Sequence, residues 1–276
     1  MAETSNAKTI IHSRSDSFVQ YFRKLWKFKS LIWIFAIRDL KVKYAQTWLG
    51  LGWSILQPLT SLAIFTFFFG FVLSWDAGDL PYAIYVLSGL LGWNFFSYIV
   101  SSGAASLQES SQLIKKIYFP KSVLPLSKVV VAVVELVASL VLLILLMIYF
   151  GEMVSWKIVF LPFVLLFNII CGLTLVFWVA AFAYRMRDLY HLLPYVVYFG
   201  IWLTPVFFVV DFFPDSLVYM LDFNPVSNVV ELWRWMLFSY SDFKNIYLVN
   251  FAIMLFLCVW GMYVFNKREN RFSDYA

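Results

Sequence analysis

The sequence predicts an all-α membrane protein: six transmembrane helices, an N-terminal amphipathic interfacial helix, and a re-entrant helix pair between spans five and six. Three observations predict it. Of 276 residues, 62% are apolar, 21% aromatic and only 13% charged, where a soluble domain carries roughly 25% charged residues. The apolar residues fall in runs of about twenty, the length that crosses ~30 Å of hydrocarbon. The cations, finally, are sorted between alternate loops, as a polytopic topology requires.

Uncharged runs place the spans at 49–74, 82–103, 126–149, 158–183, 190–210 and 246–266. The fifth is the weakest, interrupted by Pro194 and Pro205 and preceded by a basic stretch. Membrane helices tolerate such prolines where neighbours satisfy the freed carbonyls. Around the six-span domain at 49–266 lie a flexible N-terminus (1–17), a cytoplasmic interfacial region (18–48) and a cytoplasmic tail (267–276). Eighteen of the 21 Lys and Arg fall in 1–48, 104–128, 184–191 and the tail. Only three occupy 75–81, 150–157 and 211–245. Both termini are therefore expected in the cytoplasm. The net charge of +5 lies on the face where anionic lipid attracts it, and no nucleic acid is needed to explain it. Residues 1–17 have no apolar core, so insertion is expected to use the spans rather than a cleaved signal. Cys171 and Cys258 sit within apolar runs and read as small packing residues.

Four segments outside the spans carry information. Residues 18–33 form a helix with Phe18, Val19, Tyr21, Phe22, Leu25, Trp26, Phe28, Ile32 and Trp33 on one half. Gln20, Arg23, Lys24 and Lys27 lie on the other half, with Lys29 the misfit. A basic face opposite an aromatic one suits the headgroup layer. The following run, Arg38 to Tyr44, holds three cations suited to phosphate, of which Arg can bind bidentately. Residues 104–125 read as a helix to Lys116, an aromatic turn at Tyr118-Phe119-Pro120, and Pro125 opening span three. An exposed aromatic tip there suits a partner's groove. The outer stretch 211–245 is broken by Pro214 and Asn224-Pro225. Its apolar helix over 226–238 is too short to span; it reads as half of a re-entrant pair, tolerable only if buried in protein, or as an amphipathic lid.

No phosphate-binding loop of the GxxxxGK[ST] form, no HExxH, no paired-cysteine metal pattern and no nucleophile elbow occurs. Neither a catalytic residue nor a metal site is expected. Glu135 is the clear ionisable group within a span, with Lys128 near the span's cytoplasmic end. A proton-coupled pump would carry several such groups, so Glu135 is expected to bond across a helix pair. Tyr195, Phe199 and Trp202 share one face of span five, and Phe65, Phe68, Phe69 and Trp75 one face of span one.

Those segments resemble, in order from about 18 to 268, a type-2 ABC exporter permease for bacterial polysaccharides. The resemblance is carried by Ile37 to Tyr44, Thr47-Trp48-Leu49-Gly50-Leu51-Gly52-Trp53, Leu56-Gln57-Pro58, and Leu113 through Pro120 with Val123-Leu124-Pro125. It continues through a Tyr-Arg-x-Arg-Asp loop at Tyr184 to Asp188, Trp202-Leu203-Thr204-Pro205-Val206, and Asn224-Pro225. O-antigen exporters of Gram-negative bacteria are the nearest in pattern, with capsule and teichoic-acid exporters close by.

The resemblance implies a multi-pass inner-membrane homodimer with two copies of a cytoplasmic ATPase. ATP and magnesium belong to that ATPase, and this chain carries no cofactor. It implies export of polysaccharide linked to undecaprenyl pyrophosphate through a channel between spans one and five of opposing protomers. The pyrophosphate would sit on Arg38, Lys41, Lys43 and Tyr44 with Arg185 and Arg187. Gln112, Lys115, Lys116, Tyr118, Phe119 and Pro120 would couple to the ATPase or gate the channel. Phe65, Phe68, Phe69, Tyr195, Phe199 and Trp202 would offer the glycan weak, repeated contacts. The competing functions are a small-lipid or drug exporter permease, and a membrane enzyme acting on polyprenyl-linked sugars. The latter has only Asp211, Asp215, Asp222, Glu231 and Arg234 in the outer stretch from which to build a site.

Overall fold

The computed structural model describes residues 18–45, 47–183, 186, 188–210 and 213–268, and every regular element among them is helical. The flexible N-terminus and the end of the tail expected from the sequence lie outside those residues. So do the side chains of Phe18, Val19, Gln20, Phe22 and Asp215.

The interfacial region is two helices rather than one. α1 (Phe18–Lys27) ends at Phe28, and α2 (Lys29–Tyr44) continues through the basic run. The apolar half divides between two surroundings: Tyr21 and Leu25 are buried in protein, while Trp26 and Trp33 are exposed. Lys29, the misfit, lies over the Trp26 ring at 5.5 Å, so its charge stays on an aromatic face rather than in an apolar core.

Five helical segments are long and apolar enough to cross a membrane: Gly50–Val72, Tyr82–Glu109, Val123–Phe150, Trp156–Ala183 and Ile246–Arg268. The first is a 3-10 turn (Gly50–Gly52), α3 (Trp53–Phe65) and a π-helical end (Thr66–Val72). α4 (Tyr82–Glu109) is the central helix, buried along most of its length. It packs on α6 (Val123–Phe150) and α7 (Leu161–Ala183), and α7 packs on α11 (Ile246–Arg268). A short α5 (Ser111–Lys116) joins α4 to α6.

The fifth expected span, 190–210, is not one helix. α8 (Asp188–Gly200) has 13 residues, about 20 Å at 1.5 Å per residue, too short for the hydrocarbon. A 3-10 turn follows at Ile201–Leu203. Thr204 is then extended, as the residue before proline prefers, and Pro205 has no N–H with which to continue a helix. Residues 204–209 run non-helically and buried through the bundle.

Their carbonyls are met by side chains of other helices. Tyr82 donates its hydroxyl to the Phe207 carbonyl, and Tyr85 donates to that of Phe208 at 2.9 Å. The Arg234 guanidinium donates to the Val206 carbonyl at 2.8 Å and to the Tyr85 carbonyl at 3.4 Å. It lies 3.6 Å from the centre of the Tyr85 ring and pairs with Glu231 at 2.7 Å. Arg234 comes from α10 (Pro225–Phe238) and is 0% exposed. α10 approaches α4 closely because α4 carries glycine there. A Cβ at Gly89 would sit 2.6 Å from the guanidinium, and one at Gly92 2.7 Å from the Trp233 ring.

α10 begins where Asn224 caps it, accepting from the Val226 N–H at 3.0 Å, with Pro225 in the first turn. The preceding α9 (Asp215–Phe223) is largely exposed. α10 is buried along most of its length.

Replacing Arg234 by Met would leave these carbonyls and Glu231 without their cation. Breaking a buried pair from one side costs about 3–5 kcal/mol. Arg234→Met should therefore lower the melting temperature of the purified protein strongly, and Arg234→Lys, which lacks the planar fork, should restore only part of it. An unchanged melting curve for Arg234→Met would refute the role assigned to this side chain.

Candidate functional site

Three of the four segments singled out from the sequence, 18–33, 38–44 and 104–125, meet at one end of the bundle. α2 runs along α6, and its charges are tied to neighbouring helices. Arg38 grips Asp39 through Nε at 3.0 Å and Nη2 at 2.7 Å, with its guanidinium 4.9 Å from the Phe35 ring. The second Asp39 oxygen faces Lys128 of α6 at 2.9 Å, and Lys128 also reaches Glu109 of α4 at 3.6 Å. Lys43 pairs with Glu135 of α6 and lies 4.7 Å from the Tyr98 ring of α4. Tyr44 donates to the same Glu135 oxygen at 3.1 Å. Burial first, and the Glu135 carboxylate second, push the Tyr44 hydroxyl well above the ordinary tyrosine range, so it stays protonated and remains a donor. Glu135 thus bonds across a helix pair, as expected.

Of the proposed phosphate ligands, Arg38 and Lys43 already face carboxylates, and Lys41 is exposed without an ion pair among the described residues. Arg185 and Arg187, with Tyr184 of the same loop, lie outside the described residues. Sequence reasoning missed the acid side of this collar. Asp39 and Glu109 sit beside the basic run and the loop, but nothing in their spacing shows that Lys128 joins them.

The loop after α5 separates two rings that the sequence treats as one exposed tip. Tyr118 is 69% exposed and accepts a hydrogen bond from Lys24 of α1 at 2.9 Å. Phe119 is 4% exposed and meets Phe35 of α2 edge-on, ring centres 5.7 Å apart. Tyr21 of α1 bonds to Ser122 just beyond. Pro120 is buried, while Gln112, Lys115 and Lys116 are exposed on α5. The exposed tip is thus Tyr118 with the polar face of α5. Phe119 instead fastens the turn to α2.

The aromatic residues also divide. Phe65 stacks on Phe207 at 4.7 Å, and Phe69 meets Phe207 at 4.8 Å and Trp75 at 4.9 Å. These rings lock span one to the irregular segment at 204–209. Phe68, Tyr195, Phe199 and Trp202 are exposed, leaving uncovered rings on the π-helical end of span one, on α8 and on the 3-10 turn after it. Trp202 belongs to both groups, since it is exposed yet meets Phe207 edge-on at 4.8 Å.

A non-helical stretch at 204–209, an α10 buried beside α4, and α1 and α2 tied to the turn after α5 accompany a direct likeness to known proteins. The ABC-2 type transporter family model matches residues 30–238. The chain belongs to that family. Among curated relatives, the O-antigen export system permease protein RfbA of Myxococcus xanthus is 26% identical over 259 residues, covering 93% of this chain and 99% of the relative. A protein of the same name from Klebsiella pneumoniae is 25% identical over 248 residues, covering 88% and 94%. The polysialic acid transport protein KpsM of Escherichia coli is 26% identical over 207 residues, covering 72% and 77%. As an ABC-2 chain it is a membrane subunit of a transporter.

The division of the turn is testable by stability alone. Phe119→Ala deletes a buried ring and should destabilise by about 3–5 kcal/mol, whereas Tyr118→Ala should leave thermal unfolding of the purified protein nearly unchanged. Equal effects of the two substitutions would show that the turn is not fastened through Phe119.

Proposed function

We propose that this chain is the permease subunit of an ATP-driven exporter that moves polysaccharide linked to undecaprenyl pyrophosphate, an O-antigen-type glycan, out of the cytoplasm. One observation carries the reading: the relative named as an O-antigen export permease matches over 93% of this chain and 99% of its own length. The likeness therefore includes the interfacial helices and the α5 turn as well as the apolar spans.

In this reading the chain works as a homodimer in the inner membrane of a Gram-negative cell, with both termini cytoplasmic. Two copies of a separate ATPase hydrolyse ATP with magnesium. The basic end of the bundle faces the cytoplasm, where positive charge is retained. A glycan carries many hydroxyls and is costly to place in hydrocarbon, so it needs a protein-lined path. The exposed Phe68, Tyr195, Phe199 and Trp202 suit such a wall when two protomers face each other.

The pyrophosphate is received at Arg38, Lys41 and Lys43. Exposed ion pairs contribute only about 0–1 kcal/mol, so a multiply charged headgroup can draw Arg38 and Lys43 from their carboxylates. Release of Asp39 and Glu135 would then be felt by Lys128 and Tyr44, linking headgroup arrival to α6. Tyr118 and the polar face of α5 offer the docking surface for the ATPase.

Two outcomes test these roles. Arg38→Ala with Lys41→Ala should reduce surface polysaccharide while the ATPase still co-purifies; undiminished polysaccharide would refute the headgroup role. Tyr118→Ala should lower ATPase co-purification, or uncouple ATP turnover from export, without altering the permease's thermal stability. If co-purification and coupling both persist, the docking assignment is wrong.

A further inference from the structure

At the end of the bundle opposite the basic collar, a cavity of about 730 Å³ lies within the protomer. Its wall draws on the 77–80 loop, the α6–α7 connection at Glu152, the irregular segment at Val209 and Val210, and both short helices. The volume falls in the ~300–1,000 Å³ range of small-molecule sites. The Ser227 hydroxyl at the wall is buried and reaches no hydrogen-bond partner, and the buried hydroxyls of Ser241 and Tyr247 have only each other. Ser227 is 2% exposed and Tyr247 0% exposed. Buried polar groups are ordinarily satisfied, so the unpartnered Ser227 hydroxyl, beside the polar Ser241 and Tyr247 pair, favours a polar occupant of this cavity.

The charges around the cavity select the ligand. Asp222 is paired with Lys244 at 2.7 Å and Glu231 with Arg234 at 2.7 Å, while Asp79 and Glu152 have no ion pair among the described residues. The balance is acidic, which repels a phosphate or carboxylate and accepts hydrogen bonds from hydroxyls. Rings of Tyr85, Phe213, Phe238 and Tyr240 supply flat apolar surface between the polar groups.

We propose that this cavity is a saccharide-binding subsite that holds one or a few uncharged sugar units of the exported polymer at the outer end of each protomer. The subsite rests on the exporter reading above, and it differs from the aromatic surface between protomers because a single chain lines it. Holding the emerged end would oppose backward sliding between power strokes.

The test uses the full-length permease with its ATPase in lipid nanodiscs, carrying Val210→Cys as a reporter in the cavity wall. Cys171 and Cys258 lie within α7 and α11, away from a charged, membrane-impermeant maleimide. The probe is a set of oligosaccharides of one to three repeat units, released by mild acid from the surface polysaccharide of the cells that make this protein. Saturating probe should slow labelling of Val210→Cys at least tenfold and leave an Asp242→Cys control unaffected. Tyr247→Phe and Ser227→Ala should each weaken that protection about fivefold, the worth of one net hydrogen bond. Lack of protection, equal protection of the control, or protection indifferent to both hydroxyl deletions would overturn the subsite; water alone would then fill the cavity. Export is followed in the same cells. If an unprotected protein still exports, the subsite falls and the exporter reading stands. Surface polysaccharide that survives deletion of the gene defeats the exporter reading itself.

Discussion

The structure depends on backbone carbonyls that have no helix to satisfy them. Where 204–209 leave helical geometry in the bundle, each unpaired carbonyl would be costly away from water. Arg234, Tyr82 and Tyr85 meet Val206, Phe207 and Phe208, and they come from α4 and α10. That requirement holds α10 inside the protein and α4 at the centre, and it explains glycine at 89 and 92, where any side chain would collide with Arg234 or Trp233. Small residues permit such close helix approach in membranes, where burial alone provides little drive for association.

At the opposite end, the interfacial helices are not a loose anchor. α1 touches the post-α5 turn through Lys24–Tyr118 and Tyr21–Ser122, α2 touches it through Phe35–Phe119, and α2 reaches α4 and α6 through Asp39, Lys128 and Glu109. A displacement applied at the Tyr118 tip therefore reaches α2 and α6 through direct contacts. The contact at the exposed Tyr118 is weak, as exposed charged contacts are, whereas Phe35, Phe119, Tyr21, Ser122 and Lys128 are buried and hold the helices together.

Several of these features were legible in the sequence. Apolar run length marks where long helices fall: 82–103, 126–149 and 246–266 lie within α4, α6 and α11, and 158–183 lies within a 3-10 turn leading into α7. Glu135 is legible as a bridging group because a lone acid in a span needs a partner. Pro225 and Asn224 marked the start of α10. The break at Phe28 was not visible, because the apolar periodicity of 18–33 runs through it without a proline or glycine. The division of Tyr118 from Phe119 was equally hidden, since two adjacent aromatics look alike until the surface receiving one of them is known.

The sequence by itself determined that this chain lies in a membrane and where its apolar helices fall, because hydrocarbon thickness acts on local composition. It also carried the family resemblance, through short motifs in a constant order. Only the tertiary structure decided that the fifth span unwinds, that Arg234 is a buried bond donor rather than a scattered surface charge, and that Phe65 and Phe69 turn inward. Those outcomes depend on which side chain from a distant helix arrives within hydrogen-bonding or ring contact, and pairings across 28 to 149 residues of chain leave no periodic trace.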